Sequence, residues 1–121
     1  MTTNTCVWFE IPVTDLDRAR AFYSAVLKRD LVRIDEGPNP IVAFTDMSDS
    51  GTSGHLYPGK PAAAGTGPTI HLAAPDGLAA TGARVREAGG SVVSDPIEIP
   101  FGSFFYATDP DGNSIGFFEQ T

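Results

Sequence analysis

Apolar and polar residues alternate from Cys6 to Pro12, with Trp8 and Glu10 on one face and Val7, Phe9 and Ile11 on the other. That period predicts a strand, and the apolar character of both faces predicts that both are covered. Thr14 and Asp15 then offer N-cap side chains, and Leu16, Ala19, Phe22, Tyr23, Val26 and Leu27 recur at helical spacing, which predicts an amphipathic helix of about three turns. Its end has no glycine; Lys28-Arg29-Asp30 stands there, so one of these residues is expected to adopt a left-handed backbone. Short strands are expected at Leu31 to Asp35, Ile41 to Thr45 and Thr52 to Tyr57, separated by Gly37-Pro38-Asn39-Pro40 and by Asp46-Met47-Ser48-Asp49-Ser50-Gly51.

The pattern then repeats. Thr69-Ile70-His71-Leu72-Ala73-Ala74-Pro75-Asp76 has the shape of Trp8 to Asp15, and Asp76 stands 61 residues after Asp15 in a chain of 121. Asp76 is the expected N-cap of a second helix whose thinner apolar face is Leu78, Val85 and Ala88, ended by Gly89-Gly90. Strands are expected near Ser91 to Ser94, Ser103 to Thr108 and Ser114 to Glu119, the last two joined in an antiparallel hairpin by Asp109-Pro110-Asp111-Gly112. The chain is therefore one domain, 1–121, made of a module at about 5–57, an Ala/Gly/Pro linker at about 58–68 and a second module at about 69–120. A duplicated module places the binding site between the halves.

Charge narrows the choice of partners. Eight basic and fifteen acidic residues give a net charge of −7, and the basic residues are scattered, so neither nucleic acid nor a membrane surface is an expected partner, while a cationic ligand is favoured. Cys6 is the single cysteine and has no metal-binding spacing around it. Met1 to Thr5 lacks the charge and apolar run of a signal peptide, and no apolar run reaches the roughly 20 residues of a membrane span. A cytoplasmic protein is expected.

The order βαβββ twice, with Phe9-Glu10-Ile11-Pro12-Val13-Thr14-Asp15-Leu16, Ala21-Phe22-Tyr23, Gly89-Gly90 and Asp109-Pro110-Asp111-Gly112-Asn113-Ser114-Ile115-Gly116-Phe117-Phe118-Glu119, resembles the vicinal oxygen chelate superfamily. This superfamily includes glyoxalase I, bleomycin- and fosfomycin-resistance proteins and extradiol dioxygenases. The resemblance implies an α+β fold, two tandem βαβββ modules forming a curved sheet cup, and a homodimer. In enzymes of the superfamily the cup holds one divalent metal, with ligands from the first and last strand of each module; antibiotic-binding members use the cup without metal. Here those positions fall at Trp8, Thr69, Gly116 and, near the fourth, His55. An indole cannot ligate a metal and a glycine has no side chain, so the usual site is largely missing and an ordinary glyoxalase I activity is not expected. Glu119 does not replace the missing ligand, because alternation points it to the face opposite Gly116.

Alternation instead puts Glu10 beside Trp8 and His71 beside Thr69, one step from the usual ligands. Three readings stay open: Glu10 and His71 as a catalytic acid/base or ligand-binding pair, Glu10, His55 and His71 as a displaced site for Zn, Fe, Mn or Ni, or a structural hydrogen-bonded pair. Trp8, His55, Tyr57, Thr69, Phe101, Phe104, Tyr106 and Phe118 are the candidate substrate-binding residues, most of them aromatic and on or beside expected strands; Phe44 is a further aromatic near the cup. The favoured function is binding of an apolar or aromatic small molecule without a cofactor. The alternatives are a metal-dependent lyase, isomerase or dioxygenase on Glu10, His55 and His71, and a non-catalytic structural or regulatory domain.

Overall fold

The structure, a computed structural model, describes residues 5–46 and 51–121. Most of the expected loop at 46–51 therefore lies outside the described residues. The first module contains β1 (Trp8–Val13), α1 (Leu16–Leu27), β2 (Val32–Ile34), β3 (Ile41–Ala43) and β4 (Ser53–Pro58). The second contains β5 (Ile70–Ala73), α2 (Leu78–Glu87), β6 (Ser91–Val92), β7 (Ile97–Ile99), β8 (Gly102–Thr108) and β9 (Ser114–Gln120). Each module forms its own sheet, ordered β1-β4-β3-β2 and β5-β9-β8-β6, with β7 paired to β8. The outer strand β1 runs parallel to β4, and β5 parallel to β9, as the helical crossover between them requires. The α+β class and the tandem βαβββ plan are as expected. No helix among the described residues is long and apolar enough to cross a membrane.

Three local differences have physical causes. Asp76 is not the N-cap of α2. It takes φ 63° in a turn closed by the Gly77 amide on the Ala74 carbonyl, and Gly77 stands at the cap without a side-chain bond. Instead, Asp76 pairs with Lys28 Nζ at 2.5 Å, which lowers the Asp76 carboxyl below its usual range. Strand β7 was not expected, since Ile97, Glu98 and Ile99 are all exposed and lack a one-sided period. The outer face of β1 is not covered: Glu10 is exposed and Trp8 only half-buried.

Asp15 caps α1 by accepting from the Arg18 amide at 3.0 Å, and Lys28 ends it in a left-handed conformation, φ 55°. Gly89, 61 residues later, ends α2 with φ 100°, so the repeat keeps the stop signal while only one copy keeps the residue suited to it. At Gly90 the reason is space, because an added Cβ would lie 2.7 Å from the Phe22 ring.

A single core joins the modules. Ile11, Val13, Phe22, Tyr23, Val26 and Leu56 from the first meet Val85, Phe105, Ile115 and Phe117 from the second. Polar ties lock this joint. Asp109, 3% exposed, accepts from the Asp111 and Asn113 amides, both at 2.9 Å, from Asn113 Nδ2 at 2.9 Å and from the Tyr23 hydroxyl of α1 at 2.8 Å. Asn113 Nδ2 also donates to the Pro12 carbonyl at 2.8 Å, and Asp111 receives Thr14 and Arg18. Arg84 Nε donates to the Val26 carbonyl at 3.0 Å, near the end of α1.

Burial, followed by the negative charge of Asp109, holds the Tyr23 phenol well above the usual value of 10.0. The unfolded chain releases this proton near pH 10 while the folded chain keeps it, so above pH 10 the unfolded state binds fewer protons and stability falls as pH rises. Urea unfolding is expected to show this decline from about pH 10 upward, at up to about 1.4 kcal/mol per pH unit from this group. Tyr23→Phe is expected to cost about 1.5–3 kcal/mol at neutral pH and to lack that part of the alkaline slope; a variant with unchanged stability and slope would contradict the assignment.

Candidate functional site

The face of the first sheet turned away from the core carries Trp8, Glu10, His55 and Tyr57. Parallel pairing of β1 with β4 places Glu10 opposite His55 and Pro12 opposite Tyr57, and alternation turns all three candidate side chains outward while Ile11 and Leu56 point inward. His55 is the centre of this group. Its Nδ1 accepts from the Trp8 indole Nε1–H at 2.9 Å, and its Nε2 lies 3.1 Å from Glu10 Oε1. An imidazole nitrogen that accepts a hydrogen bond carries no proton, so the neutral ring holds its proton on Nε2 and donates it to Glu10. Tyr57 meets the ring edge-on at a centroid distance of 6.2 Å.

The corresponding face of the second sheet is an aromatic cluster. His71 meets Phe104 and Tyr106 edge-on at 5.2 and 5.9 Å, and Phe104 stacks on Phe118 at 6.4 Å. Gly116 makes room for it: β5 and β9 pair His71 with Gly116, and an added Cβ there would overlap His71 Nδ1. Thr69 is engaged with the Ser114 hydroxyl at 2.6 Å. Phe101 is 74% exposed at the turn before β8, whereas Phe44 is buried in the core against Phe9 and Tyr23.

Glu10 thus meets His55, not His71. The 61-residue repeat makes Glu10 and His71 equivalent positions on two different sheets, while register makes Glu10 and His55 neighbours on adjacent strands about 4.8 Å apart. Among the described residues no group of three or more His, Cys, Asp or Glu is placed to hold a metal. The usual metal positions do not fit one either: the Trp8 indole donates to His55, the Thr69 hydroxyl is bonded to Ser114, and Gly116 contributes no donor.

A cleft of about 370 Å³ also runs between the modules. Phe9, Phe44, Thr45, Thr52 and Ser53 line it from the first sheet, Leu27 and Arg29 from the end of α1, and His71, Leu72, Ala73 and Pro75 from the second module. Apart from Phe44 and His71, none of these was a sequence candidate. Ser53 sits at the start of a glycine- and serine-rich strand, and Arg29 reads as an ordinary helix-end base; only the docking of the modules brings them together.

Residues 5–117 match the model of the glyoxalase/bleomycin resistance protein/dioxygenase superfamily. The chain belongs to this superfamily. It is 34% identical over 114 residues to the protein named "Putative glyoxylase CFP32" in Mycobacterium bovis and Mycobacterium tuberculosis. That match covers 91% of the chain but 42% of the relative, so the chain spans about two-fifths of the length of these curated relatives. Among solved structures it resembles a glyoxalase/bleomycin resistance protein from Albidiferax ferrireducens T118, with TM-score 0.75 and 22% identity over 95% of this chain and 98% of that one. It also resembles TnmS3, an antibiotic binding protein from Streptomyces sp. CB03234, with TM-score 0.62 and 25% identity over 100% and 99% of the two chains. The superfamily assignment agrees with the sequence reading.

The Trp8–His55–Glu10 arrangement predicts a single imidazole tautomer. Long-range nitrogen–proton NMR spectra of the neutral ring are expected to show His55 protonated on Nε2, and Trp8→Phe is expected to release the ring to a mixture. A His55 protonated on Nδ1 in the native protein would exclude the arrangement.

Proposed function

We propose that this protein binds an apolar or aromatic small molecule on its aromatic faces, without a cofactor. The observation that carries the reading is the cluster of His71, Phe104, Tyr106 and Phe118, which stacks outside the core on an open sheet face. Rings held by one another present flat apolar surface without first having to be ordered, so little conformational entropy is lost on binding. Trp8 and Tyr57 supply a comparable surface on the other sheet, with Glu10 as the polar group that fixes orientation. The likeness to TnmS3, an antibiotic binding protein, supports the same reading.

Catalysis by Glu10 and His71 would require them to act on one ligand from separate sheets. Glu10 alone has a partner that positions it, His55, and so is the better placed of the two to take a proton from a bound ligand. A second reading, the metal-dependent lyase, isomerase or dioxygenase, draws on one observation: His55 Nε2 and Glu10 Oε1 are 3.1 Å apart, a separation suited to two ligands of one ion. The third ligand of this reading, His71, stands on the other sheet and is not grouped with the two among the described residues. A thermal-shift screen of aromatic compounds, with metal content measured on the same untagged sample, separates the readings. Aromatic ligands are expected to raise Tm, to quench the lone Trp8 where they bind its face, and to bind about tenfold more weakly to Phe104→Ala. No stabilising compound, together with stoichiometric metal that is lost in His71→Ala, would replace the first reading with the second.

We also infer a homodimer located in the cytoplasm. Exposed Val32, Val93, Ile97, Ile99 and Phe101 are the kind of surface that a partner subunit covers. Light scattering is expected to give twice the chain mass, and a monomer at micromolar concentration would refute the dimer.

A further inference from the structure

We propose that the cleft between the modules is a binding site for a small monoanion, a carboxylate carried on an apolar body. Its walls have two parts. Phe9, Leu27, Phe44, Leu72 and Pro75 form an apolar wall, and the volume of about 370 Å³ lies within the range of small-ligand sites, about 300–1,000 Å³. Among these side chains stand Arg29, Thr45, Ser53 and His71.

None of these four makes a side-chain hydrogen bond or ion pair among the described residues. Ser53 is 6% exposed as a residue, and because no fully buried side-chain oxygen lacks a hydrogen-bond partner among the described residues, its unbonded hydroxyl is the part left open on the cleft. Elsewhere five of the basic side chains are engaged: Arg18, Arg20, Lys28 and Arg33 are in ion pairs, and Arg84 binds backbone carbonyls. The cleft thus gathers donors with nothing to donate to.

The charge of the lining selects the ligand. No carboxylate lines the cleft, although the chain carries −7 overall, and its one fixed charge is the Arg29 guanidinium. A planar guanidinium suits a carboxylate in a two-pronged bond, and hydroxyls of Ser53 and Thr45 can complete its oxygens. Arg29 also borders a larger hollow of about 600 Å³, but Asp30 and Asp46 line that one and would repel an anion. The inference goes beyond the aromatic-face reading, since His71 is the only residue the two sites share.

The test uses the whole chain and a non-aromatic probe, cyclohexanecarboxylate, against its neutral counterpart, cyclohexanecarboxamide. In nitrogen–proton NMR titrations the carboxylate is expected to shift the Thr45 and Ser53 amides saturably and to leave the Glu10 and His55 amides in place. The amide should bind at least tenfold more weakly. Arg29→Gln should weaken the carboxylate at least tenfold and Ser53→Ala severalfold, while Arg86→Gln, an equal change in net charge outside the cleft, should change it less than twofold. Equal binding of acid and amide by the native chain, an unaffected Arg29→Gln, or no saturable shift at Thr45 and Ser53 would each overturn the proposal. Shifts confined to Trp8, Glu10 and His55 would overturn it while leaving the aromatic reading intact; failure of every aromatic ligand beside saturable shifts at Thr45 and Ser53 would do the reverse.

Discussion

The buried carboxylate of Asp109 is the constraint on which the relation of the two modules depends. Burying a charge is costly unless it is fully bonded, and Asp109 meets that condition only when three things coincide. The β8–β9 turn must present the amides of Asp111 and Asn113, Asn113 must fold back over it, and Tyr23 of α1 must reach across from the other module. One group thereby fixes a turn, a helix and the docking angle between them. Asn113 carries the effect further by holding the Pro12 carbonyl of the edge strand β1.

The same joint explains why a cleft exists. In the repeat, the position equivalent to Asn113 is Thr52, 61 residues earlier, and the position equivalent to Pro12 is Ala73. At the first end the long amide of Asn113 closes the gap to Pro12. At the second, the shorter Thr52 side chain donates to the Cys6 carbonyl within its own module, and Thr52 and Ala73 both line the cleft. The duplication is therefore symmetric in backbone and asymmetric in closure. That asymmetry is what turns an interface between two similar modules into a place where a third molecule can lie.

How much of this could be read from the chain depends on the range of the signal. Local chemistry was legible: the Asp15 cap, the glycine-free stop at Lys28, and the Asp109 to Gly112 turn with Gly112 at φ 85°. So was the facing of side chains, since alternation alone puts Trp8 with Glu10 and Glu119 opposite Gly116. Partners across strands were not. Repeat symmetry points from Glu10 to His71, but hydrogen-bonded register decides contact, and the register between β1 and β4 is a pairing of strands about 40 residues apart that no local pattern in either strand specifies. Strand β7 escaped for a related reason: its pairing comes from β8, and nothing in Ile97-Glu98-Ile99 itself favours one buried face.

Charge shows the same division between the whole and the local. A net charge of −7 predicts attraction of cations over long distance, yet at an ionic strength near 0.15 M fields fade over about 8 Å, and recognition is settled by the groups within that range. Four of the basic residues are neutralised by aspartates in ion pairs, and Arg84 is held by backbone carbonyls. Arg29, Lys60 and Arg86 make no ion pair among the described residues, and of these three only Arg29 stands in the cleft. An acidic protein can thus present a locally cationic pocket because none of its carboxylates lines the cleft, and several of its aspartates are held in ion pairs or at a cap elsewhere. The sign of the surface governs what approaches; the sign of the lining governs what stays.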